Sequence, residues 1–312
     1  MKRITGDELE HLFERQLAEW HTAKNNFAAL DEVKIKTVQV GDATFKVQFN
    51  PARIRSSAAK IDAASLKARR CFLCDENRPI EQQSIAWDDE YKVLVNPYPI
   101  FPKHFTVVCS RHTDQRIAGR MAHMMEMAEA FGDYEIFYNG PHCGASAPDH
   151  MHFQAGNKGF MPWLSDLSRV GEDILLRKGD AVMGVANIAR AAVVIRAMSI
   201  ESGAEMFHRL MEMLPVPAGD SEPMVNVLCS KSCREWTISV FPRKRHRPSC
   251  YDAEDDDNIL ISPASVDMGG VLAIPLEKDF YKIGVREIEQ IFGEVCYSYD
   301  EIADIIENEN KS

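Results

Sequence analysis

Residues 148–156 read PDHMHFQAG, and the order of residue types in this stretch decides how the chain around it folds. His150, His152 and Gln154 alternate with Met151, Phe153 and Ala155. Successive side chains of a β-strand point to opposite faces, with a rise of roughly 3.3 Å per residue. As a strand, the stretch sets three polar groups on one face, about 7 Å apart, and three apolar groups on the other, where they anchor on a core. A merely solvated face would carry Thr, Ser, Lys or Glu. Two imidazoles and an amide leave a chemical site and a half-buried strand evenly balanced.

Working outward, YEIFYNG (134–140) predicts the strand before it and PHCGASAP (141–148) the loop between them. RIAGRMAHMMEMAEAFG (116–132) has a helical period, ends at Gly132 as a C-cap and presents a Met-rich core face. YKVLVNPYPIFPKHFTVVCSRH (91–112) predicts two strands broken by a proline-rich turn, and apolar–polar alternation around Gly41-Asp42 predicts a hairpin. Thr5 followed by Glu8 is a capping box for a first helix running to about Leu30. Residues 33–156 thus predict an antiparallel sheet with one long crossing helix. Further on, AAVVIRAM, MVNVLCS and EWTISVFP predict strands, and 201–213 and 285–308 helices. No regular βαβ alternation is present, so the class is α+β. The units are an N-terminal helix (1–32), a first half (33–165) and a second α+β half (166–312).

The 312 residues carry a formal charge of −11 and a pI near 5.4. That argues against a general nucleic-acid binder, whose affinity comes from Lys and Arg on phosphates. The start turns polar at once, and no apolar run approaches the about 20 residues needed to span a bilayer. A reducing cytoplasm is expected, with eight unevenly spaced cysteines free as thiols. An anionic substrate needs a local basic pocket. Arg243, Lys244, Arg245, His246 and Arg247 form one basic run suited to phosphates; a solvated loop or an oligomer contact fits it equally. Arg53, Arg55, Arg69 and Arg70 are weaker phosphate candidates.

Cys71 and Cys74 form a C-x2-C pair able to reach one ion, and Zn²⁺ needs two further S or N ligands. A redox pair or plain packing remains open at this point. The candidate partners are His104, His112, His142, Cys143, His150 and His152, and spacing does not choose among them. Cys229 and Cys233 suit packing, and 252–258 an exposed acidic loop.

CFLCDENRP, LVNPYPIFPKHFTVVCSRHTD and NGPHCGASAPDHMHFQAG occur in the order seen in the histidine-triad superfamily. The chain resembles its galactose-1-phosphate uridylyltransferase branch, whose last motif is His-Pro-His-x-Gln. DHMHFQA is nearer still to the HLHFQA of GDP-L-galactose phosphorylases, which suits a bacterial subfamily between the two. The resemblance covers about residues 50–156. It implies a histidine-triad-like antiparallel sheet with flanking helices, followed by a second, diverged half of the same kind. It also implies roles. His152 is the nucleophile and Gln154 contacts the transferred phosphate. Cys71, Cys74, His112 and His150 hold a structural zinc. Asn96 lies near the ribose, Phe72 near the base and Asn139 near the phosphates. Ser146 matches the phosphate-binding serine only with a one-residue shift, and Met151 replaces the usual proline. His104 matches a recurrent position, with a buried structural histidine as the alternative.

The expected activity is nucleotidyl transfer from a nucleoside diphosphate sugar or a dinucleotide through a nucleotidyl-His152 intermediate, to phosphate or a sugar 1-phosphate. The alternatives are a hydrolase and a zinc-stabilised nucleotide-binding protein without turnover. A neutral imidazole is nucleophilic at pH 7, and phosphoryl chemistry rests on positioning and charge stabilisation. Partners are small molecules, with neither nucleic acid nor membrane, and a homodimer is admissible.

Overall fold

The hairpin expected around Gly41-Asp42 forms as β1 (Lys34–Val40) and β2 (Ala43–Phe49), with Gly41 in the left-handed region at φ 55°. The computed structural model of the chain describes residues 4–51, 54 and 63–309. In the first half come β3 (Ser84–Ala86), β4 (Tyr91–Val95), β5 (His104–Cys109), β6 (Tyr134–Asn139) and β7 (His152–Asn157). In the second half come β8 (Asp173–Lys178), β9 (Ala181–Asn187), β10 (Ala191–Ala197), β11 (Val225–Ser232) and β12 (Glu235–Pro242). These form one 10-stranded sheet in the order β3-β4-β5-β7-β6-β11-β12-β10-β9-β8. All its pairings are antiparallel.

Both halves follow one path. Three strands run up and down, a helix (Met121–Ala130 or Ile200–Met213) crosses the sheet, and the last strand inserts between the third and the fourth. The second half therefore repeats the topology of the first, and the two join edge to edge through β6 and β11, where Asn139 faces Asn226. The helix Trp163–Val170 straddles the 165/166 boundary expected between the halves.

Two expectations are corrected. The hairpin stands outside the main sheet: β2 pairs in parallel with β13 (Val271–Ile274), forming a separate three-stranded sheet. Strand partners are chosen by long-range packing, which an alternating pattern does not encode. The first helix breaks at Trp20, whose extended backbone (φ −115°, ψ 102°) separates Gly6–Glu19 from His21–Ala28. The break buries Trp20 and Phe27 and lets Asn26 Nδ2 donate to the Pro97 carbonyl at 2.6 Å, tying this arm to the β4–β5 turn. The capping box forms, with the Thr5 N–H donating to Glu8 Oε2 at 3.0 Å. No helix among the described residues is long and apolar enough to cross a membrane.

The alternation in residues 151–156 is used as read. Met151, Phe153 and Ala155 join Phe105, Val107, Ile136 and Tyr138 in a core shared with the crossing helices. Full burial of Phe153 contributes on the order of 2–3 kcal/mol. The opposite face of the second half packs on Phe45, Val47 and the helix Val285–Val295. There Trp163 Nε1 donates to Ser239 Oγ at 2.8 Å. The Arg190 guanidinium lies 4.5 Å from the Phe45 ring and 4.8 Å from the Trp163 ring. The face that bears His152 on β7 is filled and closed on β12.

Glu135 on β6 is 1% exposed, and neither carboxyl oxygen has a hydrogen-bond partner among the described residues. Burial pushes its carboxyl up from 4.5 to about 8, with Lys158 opposing. Between those values the unfolded chain releases a proton that the native chain keeps. Stability is therefore whole below pH 4.5 and declines as pH rises towards 8, by at most about 1.4 kcal/mol per unit. Glu135→Gln is expected to flatten this slope. Urea unfolding at pH 5 and pH 8 checks it: the variant should gain at least about 1 kcal/mol over wild type at pH 8 and little at pH 5.

Candidate active site and metal centre

The loop that carries the C-x2-C pair turns back on itself. The Cys74 N–H donates to the Cys71 carbonyl at 3.4 Å and the Asn77 N–H to the Cys74 carbonyl at 3.0 Å. Asn77 Nδ2 also reaches the Cys71 carbonyl at 3.0 Å. Of the candidate partners, this loop meets His112 and His150. Cys71 Sγ lies 3.3 Å from His150 Nδ1, and Cys74 Sγ lies 3.2 Å from His112 Nδ1 and 3.6 Å from His150 Nδ1. All four ligand atoms fall within 4.8 Å of one another. A tetrahedron with metal–sulfur and metal–nitrogen bonds of about 2.3 and 2.0 Å has S···N edges of about 3.5 Å. The cluster therefore fits one divalent ion.

The electrostatics agree with that fit. His150 Nε2 donates to the Cys109 carbonyl at 2.8 Å; a carbonyl only accepts, so Nδ1 keeps its lone pair towards the thiols. Burial raises the Cys71 thiol, but His150 Nδ1, which can take up its proton and then face the thiolate as an imidazolium, and two backbone N–H groups outweigh it and bring the thiol down to about 6. Burial and the neighbouring Cys71 push Cys74 up to about 12. One thiolate is easy here and a second is opposed, which is the imbalance a bound dication removes. A cleft of about 470 Å³, bordered by Leu66, Arg69, Asn77 and Asp149, opens beside the cluster.

Two residues after His150, at the start of β7, His152 is 5% exposed. Its Nδ1 donates to the His150 carbonyl at 2.8 Å, which leaves the Nε2 lone pair free. Burial is the main reason its imidazole is drawn down to about 4, so it is neutral at pH 7. Gln115, fully buried, fixes the strand at this point. Its Oε1 accepts from the His152 N–H at 2.8 Å, and its Nε2 donates to the carbonyls of His152 at 3.0 Å and Asn139 at 2.9 Å. A side-chain amide thus bridges β6 and β7 just beyond their last paired residues, Phe137 and Gln154. The sequence reading missed Gln115; the only signal was a polar residue between His112 and a helix.

Gln154 shares the face of His152, and Thr106 faces it from β5. The Ile100 N–H donates to His104 Nδ1 at 3.3 Å, so the ring proton sits on Nε2, which meets Gln154 Oε1 at 2.8 Å. His104 accordingly orients this amide with Nε2 as its remaining donor, and it stands apart from the metal cluster. Asn96 is one step away: its Nδ2 donates to Thr106 Oγ1 at 3.2 Å, and its Oδ1 accepts the Tyr98 N–H at 2.9 Å. Asn139 is 5% exposed at the end of β6.

The other expected residues are placed differently. Phe72 is exposed, with the Arg69 guanidinium 5.0 Å above its ring and Arg69 hydrogen-bonded to Asp149. Ser146 is half-buried in the loop between Cys143 and Asp149. His142 lies away from the thiols, 3.5 Å from Asp220, and Cys143 is buried apart from them. Arg243 is 2% exposed. It spends its guanidinium on the carbonyls of Val295, Pro263, Arg245 and His246 and on Asn226 Oδ1. Five N–H groups meet five acceptors, leaving none for a phosphate. Arg245 is exposed and lies 3.6 Å from Glu294. Arg53 and Arg55 fall outside the described residues.

Residues 12–157 match the family model described as "Domain of unknown function (DUF4922)". The crystal structure of yeast Ap4A phosphorylase Apa2 in complex with AMP superposes with a TM-score of 0.65, covering 95% of this chain and 98% of that one at 19% identity. The fold is histidine-triad-like. The same phosphorylase in complex with Ap4A matches this histidine-triad-like fold with a TM-score of 0.65 over 93% of this chain and 97% of that one, again at 19% identity. In sequence, the diadenosine 5',5'''-P1,P4-tetraphosphate phosphorylase 2 of Saccharomyces cerevisiae is 34% identical over 116 residues, 32% of this chain. That match spans about a third (35%) of the relative's length.

Proposed function

We propose that the protein is a nucleotidyl phosphorylase that acts on dinucleoside polyphosphates through a covalent intermediate on His152. The observation that carries the reading is the state of His152: buried, neutral, with Nδ1 committed to the His150 carbonyl and Nε2 unprotonated. The likeness in sequence to a diadenosine tetraphosphate phosphorylase supports a dinucleotide as donor.

His152 Nε2 attacks the α-phosphorus, a P–N bond forms, and the bond from that phosphorus to its bridging oxygen breaks. With Ap4A the leaving group is ATP. Inorganic phosphate then attacks the adenylyl-imidazole, the P–N bond breaks, and ADP leaves. Gln154 and Asn139 donate from their amides to the non-bridging oxygens, where charge builds. Gln115 holds the two strands at the spacing this requires. Cys71, Cys74, His112 and His150 hold a structural zinc, the ion that two thiolates and two imidazoles favour; its contribution is rigidity. The residues themselves connect it to the reaction, since the His150 carbonyl sets the His152 tautomer.

The test is incubation with Ap4A labelled at the α-phosphorus, with ADP-, UDP- and GDP-sugars as parallel donors, each with and without phosphate. The expected result without phosphate is label on the protein with release of ATP, and the label is then discharged by phosphate as ADP. A preference for a nucleotide sugar would move the donor class and keep the mechanism. Products formed only with water, and no protein-bound label, would overturn the reading in favour of a hydrolase or a binding protein.

A further inference from the structure

Arg243 and Asn226, both from the second half, form a chain of hydrogen bonds that ends at Asn139. A guanidinium only donates, and four of the five acceptors around Arg243 are backbone carbonyls whose positions the fold sets. The fifth is Asn226 Oδ1, at 2.6 Å. That contact obliges Asn226 to present its oxygen to Arg243 and its nitrogen to the other side. There, Asn226 Nδ2 meets the Cys143 carbonyl at 2.7 Å, another group that only accepts, and Asn139 Oδ1 at 2.9 Å. The backbone N–H of Ser265 donates to the same Asn139 oxygen at 2.7 Å. Two donors therefore fix Asn139 as well, and its Nδ2 makes no hydrogen bond with any described residue. Arg243 and Asn226 are 2% and 0% exposed, so no water competes for these bonds.

We infer that Asn226, held by Arg243, is a positioning residue that fixes the Asn139 amide as a donor towards the phosphate bound at His152; this rests on the phosphorylase reading. Asn139 and His152 are already linked through the Gln115 bridge. The arrangement mirrors the one on the opposite side of His152, where the Ile100 N–H sets His104 and His104 sets Gln154. Each of the two amides is aimed by a sequence of bonds that begins at a group unable to accept. One sequence lies within the first half, and the other crosses from the second. The half that does not carry His152 thereby contributes to the reaction while touching no reacting atom. A flipped Asn139 amide would direct a carbonyl oxygen at an anionic phosphate.

The test is a double-mutant cycle on the rate at which α-labelled Ap4A transfers label to the protein. Asn226→Asp is isosteric and keeps the acceptor for Arg243, but its second oxygen faces Asn139 Oδ1 and the Cys143 carbonyl. It is expected to slow labelling by about 10²-fold, the size of losing one aimed donor. In an Asn139→Ala background the same substitution is expected to cost less than about threefold, because the amide it acts through is gone. Asn226→Ala, which adds no charge, serves if the aspartate variant does not fold, with the same expectation. A loss of equal size in both backgrounds would overturn the relay, since a purely structural defect does not depend on the residue at 139. If wild type takes up no label, the phosphorylase reading fails and takes this role with it, whereas labelling with additive losses removes the relay alone.

Discussion

His152→Ala is expected to abolish the covalent adduct and to lower phosphorolysis by about 10⁴-fold or more, the scale seen when a nucleophile is removed. Neither of the two neighbouring histidines is free to replace it. His104 Nε2 carries a proton towards Gln154, and His150 is committed through Nε2 to Cys109 and through Nδ1 to the thiols. Binding should survive better than chemistry, because Gln154 and Asn139 remain in place. AMP affinity should then fall by no more than about tenfold while the rate collapses. His152→Gln, which keeps a side-chain donor, is a control for folding and should melt within a few degrees of wild type. An adduct that persists in His152→Ala and maps to another residue would reject the assignment.

Cys71→Ser is expected to reduce bound zinc from about one per chain to below about a tenth and to lower the melting temperature by about 10 °C or more. Structural zinc contributes on the order of 10 kcal/mol to small folded units, and even a fraction of that is several degrees in a chain of this size. The cluster joins three stretches: the C-x2-C loop, the segment after β5 and the segment just before β7. Adduct formation should decline with metal content, because the His150 carbonyl that holds the His152 tautomer moves once the His150 ring loses its anchor. Metal analysis and a melting curve on the same sample provide the check. Equal zinc in variant and wild type would rule out these four as ligands.

The alternation of residues 150–155 placed the strand, its buried face, His152 and Gln154, because side-chain direction on a strand is a local property; His150, expected on the same strand, lies two residues before it begins. The four residues of the Cys-His cluster were recoverable from the C-x2-C spacing only with the family resemblance, since spacing alone left His104, His142, Cys143 and His152 as equal rivals. The basic run 243–247 invited a phosphate site. The structure buries Arg243 among carbonyls and leaves Arg245 on the surface, a difference decided by loops at 263 and 295 that no local pattern links to it. Gln115 and Asn226 went unread for a related reason. Each is an ordinary amide whose importance comes from being the one side chain that fits between fixed donors and acceptors. The shared path of the two halves is a matter of which strands pair, which no local pattern encodes.

The join between β6 and β11 also bears on where this chain can be cut. The matched family segment ends at residue 157, the last residue of β7. A fragment stopping there would expose the outer edge of β6, with the ladder from Ile136 to Asn139 unpaired and Phe137 stripped of its cover. Such an edge recruits other strands, so the fragment would tend to aggregate or to dimerise through β6, with a second copy taking the place of the lost half. The stretch that similarity delimits and the unit that folds are different lengths of polypeptide.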